Sequence, residues 1–247
     1  MIKTILITGA TSGFGAASAR RFAAGGWQLI LVGRRTERLQ QLKDELGGTV
    51  LKILPLDVRD RQQVLEKLGN LQDVDLLLNN AGLALGLEPA WDVNLDDWDT
   101  MVDTNIKGLM YCTRTLLPQM VARNSGHIIN ISSTAGRWPY PGGNVYGASK
   151  AFVQQFSRNL RADLIGKHVR VTDIAPGMSK SEFSEVRFKG DEERAAKIYA
   201  GTEFMQPEDI AEMVWWIANL PAHVNINFLE AMPVTQAWGP LAIHREK

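Results

Sequence analysis

The sequence predicts an α/β fold: one domain over residues 1–247, built on a doubly wound parallel sheet with helices on both faces. Three observations predict it. Short, β-branched apolar runs alternate with helix-length amphipathic segments along the chain. The strand-like runs are apolar nearly throughout, as strands covered on both faces are. The first of them ends in a glycine cluster that opens a helix, the arrangement of a Rossmann-type dinucleotide fold.

The elements follow in order. Lys3–Thr8 reads as the first strand, and Gly9, Gly13 and Gly15 form a turn into a helix over Ala16–Ala24. Glycines there let the amides around Thr11, Ser12 and Phe14, and the helix N-terminus, approach a pyrophosphate. A plain strand–helix turn is the alternative. Gln28–Val32 is the second strand, and Gly33-Arg34-Arg35 follows it. An acid at this point holds a ribose 2′-hydroxyl, whereas arginine accommodates a 2′-phosphate, so NADP is the expected cofactor. The competing reading is that Arg34 and Arg35 only solvate the start of helix Thr36–Leu46.

Val50–Leu56 is the third strand, closed by Asp57-Val58, and Asp60–Leu68 is a helix. Val74–Leu78 is the fourth strand, ending in Asn79-Asn80-Ala81-Gly82, whose small residues suit contact with a flat ring or ribose. After a loop over Leu83–Asn94, a long helix runs to about Ala122. Asp96, Asp97 and Asp99 sit at its start as dipole-favoured acids, and Asn105 and Gly108 suggest a kink. His127–Ser132 is the next strand. A helix opening at Gly143-Asn144 ends near Gly166, and His168–Ile174 leads into Ala175-Pro176-Gly177. Met178–Gly201 is polar and charged, and reads as a mobile substrate lid rather than core. Glu208–Leu220, begun by Pro207, is a helix, and Val224–Leu229 a last strand.

Composition excludes several classes of function. Lys+Arg and Asp+Glu both number 27, so no global field recruits nucleic acid or an anionic membrane. The apolar run at the N-terminus is too short for a signal peptide, and no window approaches a membrane span. A single cysteine, Cys112, fits a reducing compartment, and a cytoplasmic enzyme is expected. No histidine pair has metal-ligand spacing, so no metal is expected.

The chemistry concentrates between Ile131 and Phe152. Tyr146 and Lys150 are four residues apart and share one face of the predicted helix. A phenol is a poor acid or base near pH 7, and a neighbouring ammonium favours its ionised form. Ser133, thirteen residues before Tyr146 at a strand end, is placed to hold a substrate oxygen. The bare Tyr-x-x-x-Lys pattern also describes a surface helix pair, and it decides nothing alone.

Taken together, Thr8-Gly-x-x-x-Gly-x-Gly15, Asp57-Val58, Asn79-Asn-Ala-Gly82, Asn105, Ser133, Tyr146-x-x-x-Lys150 and Pro176-Gly177 resemble the short-chain dehydrogenase/reductase family over essentially the whole chain. The resemblance implies that Tyr146 exchanges a proton with the substrate and that Ser133 polarises the substrate oxygen. It implies that Lys150 lowers the Tyr146 pKa and holds the nicotinamide ribose, while Asn105 positions a water. It implies cofactor contacts at the glycine turn, Arg34, Arg35, Asp57, Val58, Asn80, Gly82, Pro176, Gly177 and Ser181, and usually a homotetramer.

Gly136–Tyr146, Phe183–Gly190 and Leu220–Asn227 further resemble the NADP-dependent 3-hydroxy acid dehydrogenases of that family. Such a substrate needs its carboxylate held. Arg187 is the expected anchor and Arg137 the second choice, against the alternative of a solvated lid arginine. Two other functions stay open: a reductase of 3-oxoacyl thioesters, sugars or bulky ketones, and an NADP-sensing protein without turnover.

Overall fold

The computed structural model describes residues 2–180, 182–191, 193 and 203–239. Its seven strands form one parallel sheet: β1 (Thr4–Thr8), β2 (Gln28–Gly33), β3 (Val50–Pro55), β4 (Leu76–Asn79), β5 (Gly126–Ile131), β6 (Val169–Pro176) and β7 (Phe228–Ala231), in the order β3-β2-β1-β4-β5-β6-β7. The order reverses between β1 and β4, and the crevice at their carboxyl ends is where open α/β sheets bind ligands.

Among the described residues the α-helices are α1 (Gly13–Ala24), α2 (Thr36–Leu46), α3 (Arg61–Leu68), α4 (Leu95–Val102), α5 (Leu109–Arg123), α6 (Asn144–Asp163), α7 (Phe183–Arg187) and α8 (Pro207–Ala218). Two buried clusters divide the core by face. One, with Ile5, Ile7, Phe22 and Val214, lies where α1 and α8 pack, and the other, with Leu6, Leu77, Leu116 and Leu160, lies where α5 and α6 pack. This is why strands such as Ile5-Leu6-Ile7 are apolar without alternation: each face meets its own helix layer. None of the described helices is long and apolar enough to cross a membrane.

Several boundaries depart from the sequence reading by one to four residues, and three places bear on the site. The last strand is Phe228–Ala231, because Val224–Asn227 is spent on a loop whose Asn225 side chain bonds the Val171 backbone. β6 continues through Pro176, where no amide is needed on that residue. The predicted kink is a π-helical turn, Asp103–Gly108, joining α4 to α5. It brings Gly108 so close to Val58 that a Cβ there would stand 2.7 Å from the Val58 Cγ2.

The segment expected to be a lid is only partly within the described residues. That part is α7 and its flanks, and it packs: Ser184 and Phe188 are buried, and Lys189 pairs with Asp97 at 2.8 Å. The Gly86 amide donates to the Arg187 carbonyl at 2.9 Å, tying α7 to the β4–α4 loop.

Candidate active site

A cleft of about 830 Å³ opens along the carboxyl ends of the strands. The glycine turn forms one end. Gly9 has φ +67°, and a Cβ there would stand 2.9 Å from the Ala81 Cα, so backbone conformation and close approach both require glycine. A Cβ on Gly15 would collide with the Gly9 carbonyl oxygen. Asn80 supports this turn from beneath: its Nδ2 donates to the Thr8 carbonyl at 2.9 Å and the Gly9 carbonyl at 3.1 Å. Asn80 lines the cleft, but its side-chain donor serves the protein backbone.

At the ends of β2 and β3 stand Arg34, Arg35 and Asp57, all lining the cleft. Arg35 donates to Thr11 Oγ1 and Ser12 Oγ, both at 2.9 Å from Nη2. It also pairs with Glu182 at 3.0 Å, and Arg38 pairs with the same carboxylate at 2.6 Å. Burial pushes the Asp57 carboxyl up, but hydrogen bonds from Arg59 leave it below its ordinary value. Sequence reasoning missed Arg38 and Glu182. Arg38 lies one helical turn past the arginine pair, and that spacing was the available signal.

The other end holds the groups expected to react. Ser133 caps the short 3₁₀ turn Thr134–Gly136, its Oγ accepting from the Ala135 amide at 3.2 Å. Tyr146 is in the first turn of α6 and is buried, its ring 5.5 Å from that of Phe183. One turn on, the Lys150 ammonium lies 5.8 Å from the Tyr146 ring centroid and donates to the Ile131 carbonyl at 2.9 Å. Ser133, Tyr146 and Lys150 all line the cleft, and the spacing read as a shared helix face does bring the last two together.

Their electrostatics differ from the expectation. Burial pushes the Tyr146 phenol up to about 12; the Ser133 hydrogen bond and the Arg187 charge lower it only in part. Burial likewise brings Lys150 down to about 8. The lysine therefore does not by itself carry the phenol into the neutral range, because both groups are desolvated in the same corner.

Asn105 sits in the π-helical turn, flanking Gly82 opposite Lys150: a Cβ on Gly82 would lie 3.3 Å from each side chain. Its amide is fully engaged, accepting from the Leu83 amide at 2.9 Å and donating to the Leu83 carbonyl at 2.8 Å and Ser149 Oγ at 3.0 Å. The side chain thus fixes the backbone beside Lys150, with both amide hydrogens engaged and one lone pair of Oδ1 left over. Val58, Gly82, Pro176 and Gly177 line the cleft, and the Gly177 amide donates to the Ala231 carbonyl at 2.7 Å. Ser181 lies outside the described residues.

Arg187 enters the reacting corner. Its guanidinium is 5.2 Å from the Tyr146 ring centroid, its Nη2 donates to the Tyr140 hydroxyl at 2.6 Å, and its buried Nε has no partner among the described residues. Arg137, the second choice, instead covers the Phe228 ring at 4.9 Å and does not line the cleft. Tyr140 was legible only as part of a distinctive stretch. At the cleft mouth the indoles of Trp138 and Trp238 both donate to Glu230, at 3.3 and 3.1 Å.

A parallel-sheet dinucleotide fold with a serine, a tyrosine and a lysine converging at the strand ends defines a class of nicotinamide oxidoreductases. The chain belongs to the short-chain dehydrogenase family, whose model matches residues 3–192. It is 61% identical over 246 residues to the NADP-dependent 3-hydroxy acid dehydrogenase YdfG of Salmonella typhi, covering 98% of this chain and 99% of that one. It is 54% identical over 252 residues to sulfoacetaldehyde reductase 2 of Chromohalobacter salexigens, with both chains covered fully. Among solved structures, the closed form of serine dehydrogenase complexed with NADP+ superposes with a TM-score of 0.96 at 59% identity, covering 98% of this chain and all of that one.

Proposed function

We propose that this protein is an NADP-dependent oxidoreductase that moves hydride between the nicotinamide and the carbinol carbon of a short 3-hydroxy acid. Serine, L-allo-threonine and the 3-hydroxypropionate–malonic semialdehyde pair are the substrates in view. The observation that carries this reading is the meeting of Ser133, Tyr146 and Arg187 in one enclosed corner. A hydroxyl that holds the substrate oxygen, a phenol that exchanges its proton and a forked cation for a carboxylate are what such a substrate requires.

The residues present fit NADP. The glycine turn leaves space that a Cβ would fill, and Arg34, Arg35 and Arg38 gather where a 2′-phosphate falls. When bound, the cofactor supplies the hydride acceptor in oxidation and the donor in reduction. Ser133 orients the carbinol oxygen, and Tyr146 takes its proton as the carbonyl forms. Lys150, held on the Ile131 carbonyl, supplies positive charge and a donor toward the nicotinamide ribose. Asn105 keeps the Leu83 backbone and Ser149 in place beside it. Phe183 packs on the Tyr146 ring and keeps water from the phenol.

A single domain, with 178–201 closing over the substrate, four copies in the assembly and a cytoplasmic setting complete the proposal; the tetramer rests on the family resemblance, and the others on chain length, the polar composition of 178–201 and the single cysteine. A second reading has support in the same arginine. A guanidinium fork fits a sulfonate as it fits a carboxylate, and the 54% identical relative is a sulfoacetaldehyde reductase. A panel of hydroxy acids, sulfoacetaldehyde, 3-oxoacyl thioesters and bulky ketones, followed at the nicotinamide absorbance, separates these substrates. The test of the chemistry is Tyr146→Phe. The expected loss in kcat is on the order of 10²–10⁴ with NADP binding kept, and full retained activity overturns the role of Tyr146.

A further inference from the structure

Away from the cleft, the sheet carries a buried polar row that the reaction as described does not use. Asn79, Asn130 and Asp173 stand at one level of β4, β5 and β6. Asn79 Nδ2 donates to Asn130 Oδ1 and to Thr113 Oγ1 on α5, both at 2.9 Å, and Asn130 Nδ2 donates to Ser157 Oγ on α6 at 2.8 Å. The row therefore faces α5 and α6. Paired residues of parallel strands point to the same face, so Asp173 faces α6 as well.

Asp173 is 2% exposed, and among the described residues neither of its carboxylate oxygens has a well-formed hydrogen bond. The donor beside it is Ser132, whose hydroxyl is a rotor weakly engaged with the Ile174 carbonyl at 3.3 Å. A buried carboxylate so poorly satisfied is costly and calls for a charge to face. Lys150 provides one. It lies seven residues, about two turns, before Ser157 on the same face of α6. Its Nζ is fixed on the carbonyl of Ile131, the residue after Asn130. The ammonium thus stands one residue along and one strand across from Asp173. Among the described residues the charged groups facing Asp173 are Lys150 and Arg158, both from α6; Ser132 faces it from just past β5, and its register partner on β7 is the uncharged Phe228.

We propose that Asp173 is the internal counter-ion of Lys150: a positioning residue, outside the cleft, that keeps the ammonium charged in a desolvated site. This rests on the reading of Lys150 as part of the catalytic set. Burial pushes Lys150 down and Asp173 up, and each is pulled back by the other. The placement also has a logic for the reaction. A carboxylate inside the cleft would oppose ionisation of the phenol, whereas one behind the lysine, away from the cleft lining, supports the cation.

Asp173→Asn removes the charge with little change of shape. Lys150 then loses its proton at a lower pH, and the alkaline limb of the kcat/KM profile for oxidation moves down by about one pH unit or more. The companion measurement needs no activity. Thermal midpoints at pH 7.5 are compared for wild type, D173N, K150M and the double variant. With Lys150 present, D173N loses an attraction along with a burial penalty; with Met at 150 only the penalty is lost. The expected result is a midpoint change on D173N that is more favourable in the K150M background. Equal changes in both backgrounds, or a D173N profile that superimposes on wild type, overturn the proposal. Asp173→Ser in the same design serves if D173N does not fold. Failure of the midpoint cycle leaves the role of Tyr146 untouched, since that is decided by Y146F.

Discussion

At the scale of single residues, the site is a contest between burial and charge. Tyr146 is pushed up to about 12 and Lys150 down to about 8 by the same loss of solvent, so neither side chain arrives ready for its task. Arg187 is another cation near the phenol: its charge lowers the Tyr146 pKa, and in the proposed function its fork also holds the substrate anion. Arg187→Ala is expected to raise KM for serine and 3-hydroxypropionate roughly 10- to 100-fold, the worth of about 1.5–3 kcal/mol for a charge-assisted contact. Arg187→Lys keeps charge but not the fork, so it recovers part of kcat and little of KM. An unchanged KM in steady-state assays of R187A places the anchor elsewhere. The sequence made Tyr146, Lys150 and Ser133 legible because spacing along a helix and a strand end is local information. Asp173 and Tyr140 were not legible, since their importance comes from which strand or loop lies beside them.

At the scale of elements, α7 and α2 are joined by one carboxylate. Glu182, the residue before α7, pairs with Arg35 and with Arg38 on α2, at a point where a 2′-phosphate is expected. A 2′-phosphate held there would draw on the same two guanidiniums and so couple cofactor binding to the seating of α7. Glu182→Gln removes a competitor for the arginines and a tie to the lid together. Titration calorimetry is expected to show a several-fold lower Kd for NADP, while KM for the hydroxy acid rises. If both constants stay at wild-type values, the carboxylate is only a solvated surface partner. The helices and strands themselves were largely legible: Thr36–Leu46 is found as expected, because its apolar stripe is period-matched. The misplaced last strand has a physical reason. Val224-Asn-Ile-Asn227 has the alternation of a strand, but Asn225 bonds the Val171 backbone through its side chain and so delays pairing until Phe228.

At the scale of the whole molecule, the fold accepts buried charge in exchange for a working site, and that cost has a pH signature. Lys150 titrates near 8 in the folded protein against an ordinary 10.5. Between those values the unfolded chain binds a proton that the folded one has released, so stability rises with pH across this window. In the cofactor-free protein, K150M is expected to flatten the thermal midpoint between pH 8 and pH 10 relative to wild type; parallel curves would contradict the depressed lysine. The sheet order β3-β2-β1-β4-β5-β6-β7 makes the site possible, since it delivers the ends of β1, β2 and β4 to one half of the cleft and those of β5 and β6 to the other.

The most direct test of the central claim is the ultraviolet titration of tyrosinate in wild type minus Tyr146→Phe, with and without NADP+. The phenol is expected to ionise near pH 12 in the protein alone, and about 1–3 units lower once a positively charged nicotinamide lies beside it. A difference spectrum that titrates at the same pH in both states would contradict the account.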